Sequence, residues 1–285
     1  MRRARAAILI ALLGLLSAPV PADEDVPAKF TQANDLYAEG RLLANQQKPQ
    51  ESAQRFQQAA QLYEQILGSG FVSWPVLYNL GNAYYRHGRV GKAILNYRRA
   101  ERLAPRNAEI KANIKQAQQQ TKDRHASREL PSFFRSLLFC YYGLSLNEAT
   151  VLAAVLYFAF CIAEILFIFQ RRPLLKRATI VLLLLTLITA TSLVLKIRNE
   201  DQTPTGIVIA QECPVRIGPG KEYNVLFKAH EGADVVVLGE RADAHSEKQW
   251  LRVKVLIETV EQGGKEAKRI VGPEGYALSS NIGLL

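Results

Sequence analysis

The sequence predicts a multi-domain chain in three parts: an all-α repeat domain, a pair of long apolar helices and a small all-β barrel. Three observations carry this. Trp74–Asn107 sets small residues (Gly81, Gly88, Ala93, Ala100) at regular intervals among large apolar ones (Leu77, Leu80, Tyr84, Tyr97, Leu103). Two apolar stretches, Thr150–Phe169 and Ala178–Leu195, flank a short basic segment. After Pro204 the apolar period drops to two, with glycine turns between short β-branched runs. A length of 285 residues suffices for two modest domains plus such extras.

The chain opens "MRRARAAILIALLGLLSAPVPADED": a basic start, an apolar run from Ala6 to Leu16, and small residues before an acidic stretch. This is the pattern of a secretory signal peptide over 1–22, with cleavage after Ala22. An uncleaved anchor is the alternative, for which the run is short.

A helical domain is expected over 27–124. In "PQESAQRFQQAAQLYEQIL" the residues Ala53, Phe56, Ala60, Tyr63 and Leu67 recur three or four apart, Pro49 suits a first turn, and "GSG" at 68–70 stops the helix. Within Trp74–Asn107, Leu77, Leu80, Gly81, Tyr84, Ala93, Tyr97, Ala100 and Pro105 stand where the tetratricopeptide repeat has its signature residues. The segment resembles that repeat along its whole 34-residue period, and the resemblance implies a short all-α tetratricopeptide solenoid. One repeat cannot bury its faces alone, so neighbours are required. Upstream, Ala33, Leu36, Gly40, Ala59, Tyr63 and Ile66 read as a degenerate copy with about 14 residues inserted between Gly40 and Ala59. Downstream, Ile110, Ile114 and Ala117 mark a capping helix.

In this family the first helix of a repeat lines a concave surface. Here that stripe is Tyr78, Asn82, Tyr85 and Arg86, a candidate partner groove in which Asn82 and Arg86 would take backbone or carboxylate groups. The alternative is a common filling of these positions that binds nothing in particular. Seven positive residues in the repeat (Arg86, Arg89, Lys92, Arg98, Arg99, Arg102, Arg106) face Glu101 alone, which leans toward an acidic partner against the default of a solvated face.

Residues 131–142, "PSFFRSLLFCYY", place Phe133, Phe134, Leu137, Leu138, Tyr141 and Tyr142 on one helical face, as an interfacial amphipathic helix would; packing beneath the repeats is the alternative. The stretches 150–169 and 178–195 span about 30 and 27 Å as helices, the thickness of a bilayer core. The loop 170–177 between them holds the topology determinants Arg171, Arg172, Lys176 and Arg177. By the positive-inside rule it is cytoplasmic, so both flanking domains are exported, as the signal peptide independently requires. Three arginines leave with the signal peptide and four positives sit in this loop, so the net +10 of the chain falls to +3 for the exported part and is no argument for nucleic acid. Glu164, the only charge in either span, lies close enough to the cytoplasmic end to reach it, which favours a structural role over transport.

Residues 205–285 read as a small all-β unit. Val215-Arg216, Gly218-Pro219-Gly220, Tyr223, Glu231-Gly232, Trp250 and Gly275-Tyr276-Ala277 resemble the bacterial SH3-like (SH3b) domain and imply an SH3-like barrel. Tyr276 stands where that family usually has tryptophan, and 259–272 lengthens a hairpin. Such domains often bind cell-wall peptides, which makes Tyr223, Trp250 and Tyr276 a candidate surface; core or rim packing is the other reading. Cys140, Cys161 and Cys213 have no metal or redox spacing and read as unpaired, although an oxidising compartment leaves a Cys140–Cys213 pair open.

The order of modules resembles the BatE family. That resemblance implies a non-enzymatic envelope adaptor acting with von Willebrand A-domain membrane proteins and a MoxR-type ATPase in aerotolerance or envelope stress. It places the chain in a bacterial inner membrane with both domains periplasmic, partnered by envelope proteins and the lipid bilayer. A cell-wall sensor binding peptidoglycan peptides through the SH3b domain is the alternative, and a catalytic or transport role the third. No cofactor or metal is expected, because His87, His125, His230 and His245 lack ligand spacing and no nucleophile elbow or phosphate loop is present.

Overall fold

The computed structural model describes residues 25–123, 139–202, 204–242, 249–258 and 269–285. The expected signal peptide, most of the 131–142 segment and most of the long hairpin at 259–272 lie outside these.

Five antiparallel helices come first: α1 (Val26–Asn45), α2 (Pro49–Gly68), α3 (Trp74–Arg86), α4 (Val90–Leu103) and α5 (Ala108–Gln118). Gly81 lets α3 and α4 meet, since a Cβ there would lie 2.5 Å from the Tyr97 ring. Gly88, at φ +79°, makes the turn between them. Asn107 caps α5 by accepting from the amides of Glu109 (2.9 Å) and Ile110 (3.2 Å).

The first hairpin corrects the expected insertion. Gly40 packs on Phe56, sixteen residues on, as Gly81 packs on Tyr97. Gln47, at φ +58°, turns the chain where Gly88 does in the next hairpin. Buried Ser52 stands where Ala93 stands, and donates to the Gly40 carbonyl at 2.8 Å. Ala59 therefore matches Ala100, and nothing is inserted around the turn. The added length is at the other end. Helices α1 and α2 are 20 residues each, against 13 and 14 for α3 and α4. The first hairpin thus overhangs its neighbour by about six residues, or ~9 Å. That overhang, with turns 69–73 and 104–107, forms what we term the base of the array; turns 46–48 and 87–89 lie at its other end.

After the four-residue helix α6 (Phe139–Tyr142), two helices are long and apolar enough to cross a membrane: α7 (Leu146–Gln170) and α8 (Pro173–Gln202). Their most apolar stretches are only 6% and 11% buried, so they are not the core helices of a globular unit. The loop expected at 170–177 is shorter: Arg171, left-handed at φ +47°, and Arg172 alone make the turn, because Pro173 already fits the first turn of α8 and carries Lys176 and Arg177 into that helix. Glu164 is half-buried on α7. A capping box opens α7: the Glu148 amide donates to Ser145 Oγ (3.3 Å) and the Ser145 amide to Glu148 Oε2 (2.8 Å). Across the hairpin, Lys196 Nζ donates to the carbonyls of Leu144 (2.5 Å) and Tyr141 (3.4 Å).

Seven antiparallel strands follow: β1 (Thr205–Val208), β2 (Glu212–Arg216), β3 (Val225–His230), β4 (Asp234–Ala242), β5 (Gln249–Glu258), β6 (Arg269–Leu278) and β7 (Ile282–Leu284). Their order is β3-β2-β6-β5-β4-β1-β7, and among the described residues no ladder joins β3 to β7. The expected closed barrel is therefore an open sheet. Its two ends still share one core, in which Cys213, Val215 and Ala229 meet Val208, Val235 and Ile282. The reason for the opening lies at β7: Arg99 of α4 donates to the Leu284 carbonyl at 2.6 Å, and Gly283 leaves room for Leu95. A helix covers the edge that a closing strand would have used.

The sheet and the repeats consequently form one body. In β1, alternation sends Ile207 into the helical core and Val208 into the sheet core, both fully buried. Gly91, in the first turn of α4, has no room for a side chain: a Cβ would meet the Val208 carbonyl, and would lie 2.7 Å from Glu231 Cγ. Glu231 accepts from the Gly91 amide at 2.9 Å. Asp123, after α5, accepts from the His230 backbone amide at 2.7 Å, with the His230 ring Nδ1 3.0 Å from its second oxygen.

Cys213 is buried as a free thiol, so it is not paired with Cys140; burial pushes it from 9.0 up to about 11. The folded state keeps this proton, so its contribution to stability is complete below about pH 9 and is lost as pH rises toward 11. Melting followed from pH 8 to pH 11 should therefore fall more steeply in the wild type than in Cys213→Ala. A Gly91→Val substitution should cost about 1–3 kcal/mol in chemical denaturation by forcing the sheet off α4. If Gly91→Val melts like wild type, the close approach is absent.

Candidate functional site

The four stripe residues come together. Tyr78, Asn82, Tyr85 and Arg86 line one face of α3 and, with Tyr37 of α1, Tyr97 of α4 and Asn113 and Gln116 of α5, enclose an open cleft of about 190 Å³. That is below the few hundred cubic ångströms of a typical small-molecule pocket. It suits one side chain or a short length of extended chain.

Its chemistry differs from the expectation in one respect. Asn82 was expected to receive a ligand, but its Oδ1 already accepts from Tyr97 Oη at 2.7 Å and from Asn113 Nδ2 at 3.0 Å. Asn113 also donates to Tyr78 Oη (3.0 Å), and Gln120 donates to Tyr85 Oη (2.6 Å). The amides fix the tyrosines, and burial holds the Tyr97 phenol well above its ordinary range. Arg86, exposed in the last turn of α3, is the cleft's one lining cation and has no ion pair among the described residues. The result is a neutral, hydroxyl-rich floor with a guanidinium at its rim.

The other positive residues of the repeat sit elsewhere, which corrects the lean toward an acidic partner. Arg99 and Arg102 reach the sheet, at the Leu284 carbonyl and Thr205 Oγ1 (3.3 Å). Arg106 binds Glu148 at 2.5 Å, and Arg98 binds Glu101 at 3.1 Å. Lys92 lies 4.8 Å above the Tyr84 ring, whose hydroxyl donates to Glu64. The charge holds the molecule together and leaves little over for a ligand.

Sequence reasoning did not place Tyr37, Asn113 and Gln116 in this site. The signal was present. Tyr37 precedes Tyr78 by the same interval as Gly40 precedes Gly81, and Asn113 and Gln116 follow Asn79 and Asn82 by one 34-residue period.

The second candidate surface is not assembled. Trp250 is 1% exposed, with no hydrogen-bond partner for its Nε1 among the described residues, and is a core side chain. Only Tyr223 and Tyr276 stay accessible, on either side of Arg216: Arg216 donates to the Tyr223 carbonyl at 2.6 Å and pairs across strands with Tyr276. Among the described residues no group of three His, Cys, Asp or Glu side chains could hold a metal ion. His87 is held at the Ala53 carbonyl (3.1 Å).

The tetratricopeptide-repeat family profile matches residues 74–107, the α3–α4 hairpin at the centre of this site. No curated protein matches the chain. A repeat of this kind supports a role in protein–protein interaction.

Truncating the network at one point should be felt throughout it. Tyr97→Phe leaves Asn82 one donor short in a half-buried place and should lower stability by about 1 kcal/mol. Chemical denaturation of the full chain measures it, and Tyr85→Phe, at a more exposed hydroxyl, should cost less.

Proposed function

We propose that this chain is a membrane-anchored, non-catalytic adaptor of a bacterial envelope, with α7 and α8 crossing the inner membrane and the repeat and sheet domains held together on the exported side. The observation that carries the reading is the cleft itself. It lies on the α1–α3–α5 face with Arg86 at its rim, while the opposite face of α4 is closed by the sheet, so among the described residues of the repeats this is the concave face left open to a partner. A basic Arg171-Arg172 turn between two apolar helices supports the orientation, and the N-terminal signal pattern supports export. The order of parts resembles the BatE family, whose von Willebrand A-domain membrane proteins and MoxR-type ATPase supply the class of partner. On this reading a segment of another envelope protein lies across Tyr78, Tyr85 and Tyr97, and Arg86 takes a carbonyl or carboxylate from it.

The test is a photoreactive residue at Tyr85 in cells, with the adduct identified by mass spectrometry. The expected result is one dominant envelope protein whose yield drops at least about tenfold in Arg86→Glu, the effect of losing roughly 1.4 kcal/mol. A diffuse set of adducts unchanged by Arg86→Glu would overturn the reading.

A further inference from the structure

The base of the repeat array carries an apolar turn that the adaptor reading leaves without a role. Phe71, Val72 and Trp74, three of four consecutive residues in the turn from α2 into the start of α3, are 49%, 59% and 40% exposed. Single exposed apolar residues are ordinary on a protein surface, but an aromatic-rich run at one tip is not. Nothing in the repeat pattern demands it: the corresponding turn before α5, Ala104–Asn107, contains Arg106 and an asparagine cap instead.

The placement of this turn identifies what it meets. Two contacts fix the base of the array over the apolar hairpin. Arg106, in the turn after α4, binds Glu148 at the head of α7; Arg102, in the last turn of α4, reaches Thr205 just beyond the end of α8. The chain thus enters and leaves the hairpin beneath one end of α4. The α2–α3 turn lies at that same end, and it sits on the ~9 Å overhang of the first hairpin. That overhang is braced where it leaves α3: Phe30 and Tyr63 stack edge-on at 6.0 Å, and Asn34 Oδ1 accepts from Tyr63 Oη (2.6 Å) and from Asn79 Nδ2 of α3 (3.0 Å). The molecule's apolar tip is therefore carried toward the plane in which the apolar hairpin begins.

We propose that the α2–α3 turn is a bilayer-contact element: Phe71, Val72 and Trp74 sit in the interfacial layer of the same membrane that receives α7 and α8. This rests on the membrane-spanning reading above. Tryptophan and phenylalanine favour that layer because their rings are apolar while the surroundings still hydrate the backbone and the indole N–H. Gly68 and Gly70, with Gly70 at φ +86°, give the turn its reach without bulk. A third point of contact, beside the two spans, would stop the array from tilting about the hairpin.

The experiment uses the full chain in nanodiscs of phosphatidylethanolamine and phosphatidylglycerol, with p-benzoylphenylalanine replacing in turn Phe71, Phe158 on the apolar hairpin, and Leu238 on the exposed face of β4. All three positions are exposed, so folding is not at stake. The expected result is an adduct with the mass of one phospholipid at 71 and 158 and none at 238, with the yield at 71 lost when Val72 is changed to Asp. A lipid adduct at 158 but none at 71, or a protein adduct at 71, overturns the proposal and leaves the spans intact. Absence of lipid at 158 overturns the membrane-spanning reading, and the proposal with it.

Discussion

The architecture depends on how closely the first turn of α4 approaches the sheet. Glu231 accepts from the Gly91 amide at 2.9 Å, and no side chain on Gly91 separates them. Helix α4 begins with Arg89 at its N-cap, which has no capping hydrogen bond and the wrong charge for the positive end of a helix. The carboxylate that a capping residue would have provided comes from another domain, 140 residues away in sequence. From this one contact follow the burial of Ile207 among the repeats, the covering of β7 by Arg99 and Leu95, and the open form of the sheet.

This contact also explains how one well-formed repeat is stable. A single hairpin leaves two faces bare. The inner face of α3–α4 packs between the first hairpin and α5, which is ordinary for a solenoid. The outer face of α4, where a longer array would show solvated residues, carries Ile94 and Leu95, and both are buried. Each buried aliphatic side chain of that size contributes about 1.5–3 kcal/mol. Ile94, Leu95 and Ile207 together outweigh any of the exposed ion pairs, each about 0.2–1 kcal/mol. The sheet serves the repeat as a fourth neighbour.

The parts of this arrangement that follow from local pattern could be read in the sequence, and those that depend on contact between distant segments could not. Eight residues at fixed positions located the α3–α4 hairpin, and with it the stripe Tyr78, Asn82, Tyr85 and Arg86. The first hairpin was misplaced because Ser52 and Gln47 occupy positions where alanine and glycine would have been recognised. Ser52 works because its hydroxyl bonds the Gly40 carbonyl, and Gln47 adopts a left-handed turn that its side chain only tolerates. The strands were legible, but the open edge was not, since nothing local in "NIGLL" says that a helix lies beside it. For Trp250 the sequence leaves surface and core open, because tryptophan at the head of an alternating strand looks the same whether its ring turns inward or outward; the structure decides for the core. The basic residues were most misleading of all: counted along the sequence they resemble a ligand patch, and in space five of the seven (Lys92, Arg98, Arg99, Arg102 and Arg106) act within the molecule.

Those arginines set direction more than they add stability. Arg106–Glu148 is more than two-fifths exposed on both sides and is weak as an ion pair. Yet Glu148 simultaneously closes the capping box of α7, so the residue that starts the apolar hairpin is the one that holds the repeat above it. Arg102 makes the equivalent contact where the chain emerges from α8. With one tether before the hairpin and one after it, both at the C-terminal end of α4, rotating the array about the hairpin axis would stretch at least one of them. The heavy packing at Ile207 then prevents the sheet from following any such rotation. These contacts bias the orientation of the α3 cleft relative to the apolar hairpin, and on the adaptor reading proposed above that bias is what would make a cleft of only about 190 Å³ selective. On that reading a partner would have to bring its segment in along the same direction, and one held in a fixed orientation of its own would do so at a small entropic cost.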